Sequence, residues 1–538
     1  MQREFSMAGE NSSERQDDVP DSELVDTPQM GERIESQRIG RMAVAGRYLG
    51  PVLALIVYFL LPDGDAGLSS AGRATAAVGV LMAVWWVTEA LPLPATSLLP
   101  LALFPITGVL DMKAAAAPYA NDLIFLFMGG FMLALAMQRW GLHRRIALLT
   151  VRTVGTTPTR MIGGFMLASA FLSMWVSNTA TTVMMLPIGL AVLKLVYERV
   201  EGQSSDEDSL TGSGAPAFST ALMLGIAYAA SIGSLGTIIG TPPNTFLIAY
   251  LQEDHGIDIG FGQWMLFATP MAVVFLGLAW LMLTRVLYPP KMDEIPGGRE
   301  LIDEELDKMG PMSRGEKVVL GVFVTTAALW ISRSLFLQDL FAGTTLEGID
   351  DAAIAIGAAI VLFAWPIDRR HGVFALDWET AKQLPWGILL LFGGGLALAA
   401  GVGENGVDKF IGQQVEALGG IPFYLLVAST ALIVIFLTEL TSNTATTAAV
   451  VPILGGVAVG LGYGPMMLVV PAALAATCAF MLPVATPPNA IVFGSGYITI
   501  KQMVYAGVLF NVVGLALITG IVLLLAGPVL GVSFTQGQ

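Results

Sequence analysis

Two short stretches gather polar side chains inside long apolar blocks. The first reads VSNTATTVMMLPIG, Val176 to Gly189, and the second TSNTATTAAVVPILGG, Thr441 to Gly456. Each sets a serine, an asparagine and a threonine side by side: Ser177, Asn178 and Thr179, then Ser442, Asn443 and Thr444. Each carries a proline ten residues after its serine, Pro187 and Pro452, and neither contains Lys, Arg or His. Hydroxyls, an amide and helix-terminal N–H groups can bind carboxylate oxygens without a buried cationic side chain. The same side-chain oxygens, joined by unwound backbone carbonyls, are neutral ligands that suit a hard alkali cation. An anion held there would draw its countercharge from such cations, because a dianion alone in low dielectric is costly to bury. A further hydroxyl lies four residues before each serine, Ser173 and Thr438. Positions i and i+4 share a helix face, so each pair could flank one cation. For a single pair, a hydroxyl bonding back to a helix carbonyl is the simpler reading; the matched pair favours the cation site.

Two further motifs repeat. IIGTPPNTF (Ile238–Phe246) and PVATPPNAI (Pro483–Ile491) each interrupt an overlong apolar block. Adjacent prolines remove two backbone donors and push the preceding residue out of the helical region. A discontinuous helix is expected at each, and unwound backbone at membrane depth survives only where protein or a cavity satisfies it. The spacing is that of an internal repeat. Ser442 follows Ser177, Pro452 follows Pro187 and Gly394-Gly395 follows Gly129-Gly130 by the same 265 positions, while the TPPN motifs lie 245 apart. A polar insert near 200–215, missing from the second half, accounts for the difference. One Ser-Asn-Thr cluster alone could be a helix-packing detail. Two at one lag, each followed by TPPN in a broken helix, favour a binding site.

The elements that carry these residues belong to a membrane. The chain has 538 residues, 54% hydrophobic and 13% charged, with mean hydropathy +0.70, where a soluble chain carries about 25% charged residues. Apolar stretches of bilayer-spanning length recur throughout, which predicts an all-α polytopic membrane protein. The net charge of −15 argues against nucleic acid, which needs a basic stripe. A single cysteine, Cys478, excludes an internal disulfide and a cysteine metal site, and its apolar neighbours predict a buried structural thiol. Residues 1–47 read as a disordered cytoplasmic tail, with no signal-peptide pattern.

Residues 161–193 carry no charge; the block is too long for one span and too short for two with a loop. A re-entrant helical hairpin with Ser-Asn-Thr at its tip fits, and Arg160, Lys194 and Arg199 place its ends in the cytoplasm. The block 421–461 repeats the pattern without flanking Lys or Arg, as suits a hairpin entering from the other side. With the N-terminus inside and no net crossing by either hairpin, about eleven spans leave only Arg73, Lys113, Arg333 and Lys409, of 27 basic residues, outside. The repeats are then inverted and the C-terminus is extracytoplasmic. Inverted repeats with broken helices meeting at the midplane are the layout of a secondary transporter.

Glu439 lies three residues before Ser442, where the first copy has Met174. An intramembrane carboxylate is a functional candidate by default, but it breaks the symmetry of the sites and reads better as a structural, hairpin-positioning group. His143, His255 and His371 fall in loop or interfacial segments away from both cluster serines, so no Ser–His pairing is suggested. No phosphate loop of the G-x-x-x-x-G-K-[ST] type occurs, which argues against ATP drive. GLHRRIALL (141–149) is basic and amphipathic and predicts an interfacial helix at the inner surface, with GVDKFIGQQ, within 403–416, as its counterpart.

The chain resembles the divalent anion:sodium symporter family, the INDY-like dicarboxylate transporters. The resemblance covers about 48–530 and rests on both Ser-Asn-Thr clusters, both PPN breaks and WWVTEALPLPATSLLPLALFP (Trp85–Pro105). It implies a homodimer in the cell (inner) membrane, with a scaffold and an elevator-like transport domain in each protomer. Scaffold helices would lie in 48–140 and 264–402, the latter with a cytoplasmic loop at 289–316. The transport halves would be 160–250 and 421–497, with a last helix at 503–530. The resemblance also implies sodium-driven uptake of C4-dicarboxylates such as succinate, malate and fumarate. Carried over by motif, one sodium site would use Ser173, Ser177, Asn178 and Gly240, and a second Thr438, Ser442, Asn443 and Ala485. Substrate would meet Asn178, Thr179, Thr241, Asn443, Thr444, Thr486 and Pro487. Thr241 stands where some members have Ser and narrows the pocket by one methyl, leaving dicarboxylate and citrate as alternatives. Some relatives carry sulfate and some exchange dicarboxylates without sodium; the uncharged clusters speak for sodium. An intramembrane enzyme would need a nucleophile–base pair at one depth, which is not found.

Overall fold

A computed structural model describes residues 29–63, 67–201, 214–292, 294–295, 297–337, 349–415, 421–532 and 534. The described chain is nearly all helical, apart from one small antiparallel strand pair, Pro366–Asp368 with Val373–Phe374. Leaving out single-turn helices, the first half runs α1 (Gln29–Leu60), α2 (Ser70–Thr88), α3 (Leu99–Thr107), α4 (Asp122–Arg139), α5 (Leu142–Val154), α6 (Pro158–Ser173), α7 (Asn178–Glu201), α8 (Ala215–Ser234), α9 (Pro242–His255) and α10 (Phe261–Leu281). The second half runs α11 (Gly298–Met309), α12 (Arg314–Ser332), α13 (Asp351–Ala364), α14 (Trp386–Glu404), α15 (Val407–Val415), α16 (Phe423–Thr438), α17 (Asn443–Gly460), α18 (Met466–Thr477), α19 (Pro487–Phe493) and α20 (Ile500–Ile521). From α4 to α10 each helix has its repeat counterpart ten places later.

Among the described residues, ten helical stretches are long and apolar enough to cross a membrane. Two of them, Asn178–Glu198 and Asn443–Gly460, are the second arms of the Ser-Asn-Thr segments. Leu93–Thr107, Asp351–Ala364 and Met466–Thr477 are apolar but shorter, so length alone does not reproduce the eleven expected crossings. Helix α1 starts at Gln29, inside the stretch expected to be tail; residues 1–28 and the polar insert at 202–213 lie outside the described residues.

The first halves of the two broken helices form the centre of the molecule. Every residue of α18 is buried, and so is α8 from Phe218 to Ser234. A helix apolar all round and covered all round is a core helix. The repeated Gly-Gly pairs act as close-packing points. A Cβ on Gly129 would run into the Ala355 backbone of α13, and one on Gly394 into the backbone of Ser97. Small residues of this kind let membrane helices approach closely.

The expected interfacial helix forms as α5 and continues to Val154, beyond the predicted 149. Its cations face protein. Arg144 pairs with Glu305 at 2.5 Å and Arg152 with Asp303 at 2.8 Å, both on α11, while Arg145 meets Glu316 of α12 at 2.6 Å. The acidic stretch around 300–307 is thus folded onto the basic face of α5. Ser313 and Glu316 form a capping box that fixes the start of α12.

Candidate functional site

Each Ser-Asn-Thr cluster sits where one helix stops and the next begins. Helix α6 ends at Ser173 and α7 starts at Asn178; α16 ends at Thr438 and α17 starts at Asn443. Each TPPN does the same for a broken helix: α8 ends at Ser234 and α9 starts at Pro242, while α18 ends at Thr477 and α19 starts at Pro487. The prolines explain the restart positions. They occupy the first turn of α9 and α19, where a missing N–H would have been unpaired in any case. Thr241 and Thr486 precede them in nearly identical extended conformations, φ −145°, ψ 142° and φ −142°, ψ 147°. The four motifs therefore supply four helix N-termini, each the partially positive end of its helix; at α9 and α19 the prolines carry no N–H, and the following Asn244 and Asn489 N–H groups are taken by the Thr241 carbonyl at 3.1 Å and Thr486 Oγ1 at 3.3 Å.

The halves interlock. Helix α7, carrying the first cluster, packs against α19, the PPN helix of the second half; α17 packs against α9 in the reciprocal way. Ser177, Asn178, Thr179, Ser442, Asn443 and Thr444 are all half-buried, whereas Thr241, Thr486, Gly240 and Ala485 are buried and Pro487 is exposed.

The predicted cation ligands behave differently in the two halves. Thr438 Oγ1 lies 2.7 Å from Asn443 Oδ1 and 2.9 Å from the Ala476 carbonyl, within donating distance of both. Two proposed ligands of the second site thus touch directly. In the first half Ser173 Oγ is fully buried and has no hydrogen-bond partner among the described residues, the kind of orphaned oxygen that an ion or water would satisfy. Ser177 Oγ accepts the Ala180 N–H at 3.2 Å, and Asn178 Oδ1 accepts the Thr179 N–H at 2.8 Å. Gly240 is required by space: a Cβ there would collide with the Ser234 carbonyl oxygen where the break folds back on itself. Ala485 holds the corresponding place in the second half. Among the described residues no cluster of His, Cys, Asp or Glu could hold a metal ion, so a cation here would rely on neutral oxygens.

Two site residues escaped the sequence reading, Asn244 and Asn489, the third letters of the PPN triplets. Asn244 Nδ2 donates to the carbonyls of Leu235 at 3.2 Å and Thr237 at 2.9 Å. Asn489 Nδ2 donates to those of Ala479 at 3.2 Å and Leu482 at 3.0 Å. Both asparagines are completely buried. They tie each restarted helix to the unwound carbonyls behind it, which is how the breaks persist in an apolar interior. The motif itself was the available signal, since a buried asparagine at a double-proline break must find carbonyl partners.

Glu439 holds the second break from the other side. Its Oε1 accepts the Phe480 N–H at 2.8 Å, the Met481 N–H at 3.0 Å and the Asn511 amide at 2.7 Å; its Oε2 accepts the N–H groups of Met481 at 3.1 Å and Leu482 at 3.2 Å. In the first half Met174 stands in its place, and Thr237 donates its hydroxyl to the Met174 carbonyl instead. Thr269 and Trp264 of α10 add bonds to the Gly236 and Leu235 carbonyls at 2.9 and 3.2 Å. The three histidines lie away from these breaks: His255 contacts the Tyr250 hydroxyl, His143 the Met137 carbonyl and His371 the Asp368 carboxylate.

Comparison with known proteins agrees with this architecture. Residues 44–532 match the profile described as "Sodium:sulfate symporter transmembrane region". The chain is 43% identical over 504 residues to the sodium-dependent dicarboxylate transporter SdcS of Staphylococcus saprophyticus, covering 93% of this chain and 94% of that protein. It is 42% identical over 493 residues to the SdcS of Staphylococcus aureus strain USA300, covering 91% and 92%. The crystal structure of the Alcanivorax borkumensis YdaH transporter shares the fold, with a TM-score of 0.56 at 14% identity over 91% of this chain and 99% of that one. Gonococcal MtrF from Neisseria gonorrhoeae does so with a TM-score of 0.52, also at 14% identity, over 89% and 98%. The chain is a multi-pass membrane protein and belongs to the sodium:sulfate symporter family, the divalent anion:sodium symporters, a family of transporters rather than enzymes.

Proposed function

We propose that the protein is a sodium-coupled symporter of C4-dicarboxylates, succinate, malate and fumarate among them. The observation that carries this reading is the reciprocal packing of the two Ser-Asn-Thr helices on the two PPN helices, with no basic side chain in either cluster or either break. Helix N-termini and the side chains of Asn178, Thr179, Thr241, Asn443, Thr444 and Thr486, with the backbone at Pro487, would bind the two carboxylates. Sodium would occupy two sites, one at Ser173, Ser177, Asn178 and Gly240, the other at Thr438, Ser442, Asn443 and Ala485. Its charge offsets the burial of the dianion, so neither is favourably bound alone. The relatives named as sodium-dependent dicarboxylate transporters support both the ion and the substrate class.

In this reading α6–α7 and α16–α17 are re-entrant hairpins entering from opposite faces. The N-terminus is cytoplasmic, the C-terminus extracytoplasmic, and the protein works in the cell membrane as a homodimer with an elevator-like transport domain. The test is labelled succinate uptake into proteoliposomes with sodium, potassium or lithium outside. Uptake driven by an inward sodium gradient is expected. Uptake indifferent to sodium but dependent on internal dicarboxylate would make the protein an exchanger.

A further inference from the structure

Away from the breaks, a groove of about 710 Å³ opens between α12 and α13. Its walls are apolar apart from two threonines and two cations, Arg314 and Lys317, at one end, where Trp365 also stands. Along α12 the lining runs from Arg314 to Leu329, about 22 Å at the helical rise of ~1.5 Å per residue. That length exceeds the half-thickness of a bilayer hydrocarbon core, about 15 Å. Gly321 and Gly357 lie in the lining, and a Cβ on either would meet nothing within 4 Å. Missing side chains on both helices thus create the space.

The cations at the end of the groove are unused. Arg314 and Lys317 are exposed and form no ion pair or side-chain hydrogen bond with any described residue. Their neighbour Glu316 is taken by Arg145. Asp368, the acidic group within electrostatic reach of Arg314, is held by His371 at 2.6 Å. Arg369 and Arg370 follow Trp365 in the turn of the strand pair and add positive charge at the same end. Among the helices' polar ends, an apolar trough closed by a tryptophan and two free cations matches a lipid: an acyl chain along the trough, a phosphate at the mouth, an indole at the interface.

We propose that this groove binds one anionic phospholipid of the bilayer, its acyl chain lying between α12 and α13 and its headgroup phosphate held by Arg314 and Lys317. Charge distinguishes this occupant from a second copy of the chain: a copy whose own groove faced this one across an axis along the membrane normal would add its Arg314 and Lys317 at the same depth, and the groove lining holds no carboxylate to offset them.

The test is native mass spectrometry of the purified full chain with phosphatidylglycerol or phosphatidylcholine carrying identical acyl chains. At about 1 kcal/mol per basic residue, two cations predict a preference for phosphatidylglycerol of roughly tenfold to thirtyfold. Arg314→Gln with Lys317→Gln should reduce that preference to near unity. Gly357→Leu, which fills the trough and leaves the cations in place, should weaken binding of both lipids. Equal binding of the two lipids by the native chain would overturn the proposal, as would an undiminished preference in the double variant. So would efficient cross-linking of Gly357→Cys to itself in membranes, which would put a second copy in the groove.

Discussion

Met174 and Glu439 occupy equivalent positions in two clusters that otherwise match closely, and the difference decides how each break is held. The Glu439 carboxylate accepts five hydrogen bonds, four of them from the backbone of residues 480–482. Replacing it with leucine leaves buried N–H groups without partners, at about 1–3 kcal/mol for each group stranded. Glu439→Leu is therefore expected to lower the apparent melting temperature in detergent and suppress uptake, with Glu439→Gln, which keeps one acceptor oxygen, in between. Equal stability of all three proteins would contradict a positioning role. The reading of Glu439 as a hairpin-positioning group was accessible from asymmetry alone. The PPN motif signals that Asn244 and Asn489 need carbonyl partners, but which carbonyls they meet depends on how the break folds back, and that the residue types do not show.

At the scale of elements, apolar block length and charge located the helices well. A helix at the segment expected to be interfacial and both breaks formed where composition and proline placed them, because those signals are local. What joins elements was hidden. Arg145 and Glu316 are 171 positions apart, and nothing near either residue announces the pair. Glu316 is 3% exposed, and removing one partner of a buried pair strands the other charge, at about 3–5 kcal/mol. Arg145→Gln should thus lower thermal stability clearly. Arg144→Gln should change it by less than about 1 kcal/mol, since the Arg144 side chain is 45% exposed and screened by water. Thermal unfolding of the two variants side by side reads the contrast, and equal losses would contradict it. The same remoteness explains the acidic stretch, which was expected within a cytoplasmic loop at 289–316 and which folds as α11 onto α5.

At the scale of the whole molecule, the repeat was plain in the sequence as a constant lag, but a lag says nothing about which pieces touch. The fold answers with an exchange: each Ser-Asn-Thr helix packs against the PPN helix of the other half. On the proposed reading that exchange makes one site from two incomplete halves, with sodium supplying the positive charge the clusters lack. The most direct measurement is calorimetric titration of the purified protein with succinate in saturating sodium, for the native chain and for Asn178→Ala and Asn443→Ala. One succinate per chain is expected, binding is lost when potassium replaces sodium, and either substitution alone abolishes it while the fold is retained. Two succinates per chain, or half of the native binding surviving in each variant, would mean independent sites and would contradict the account.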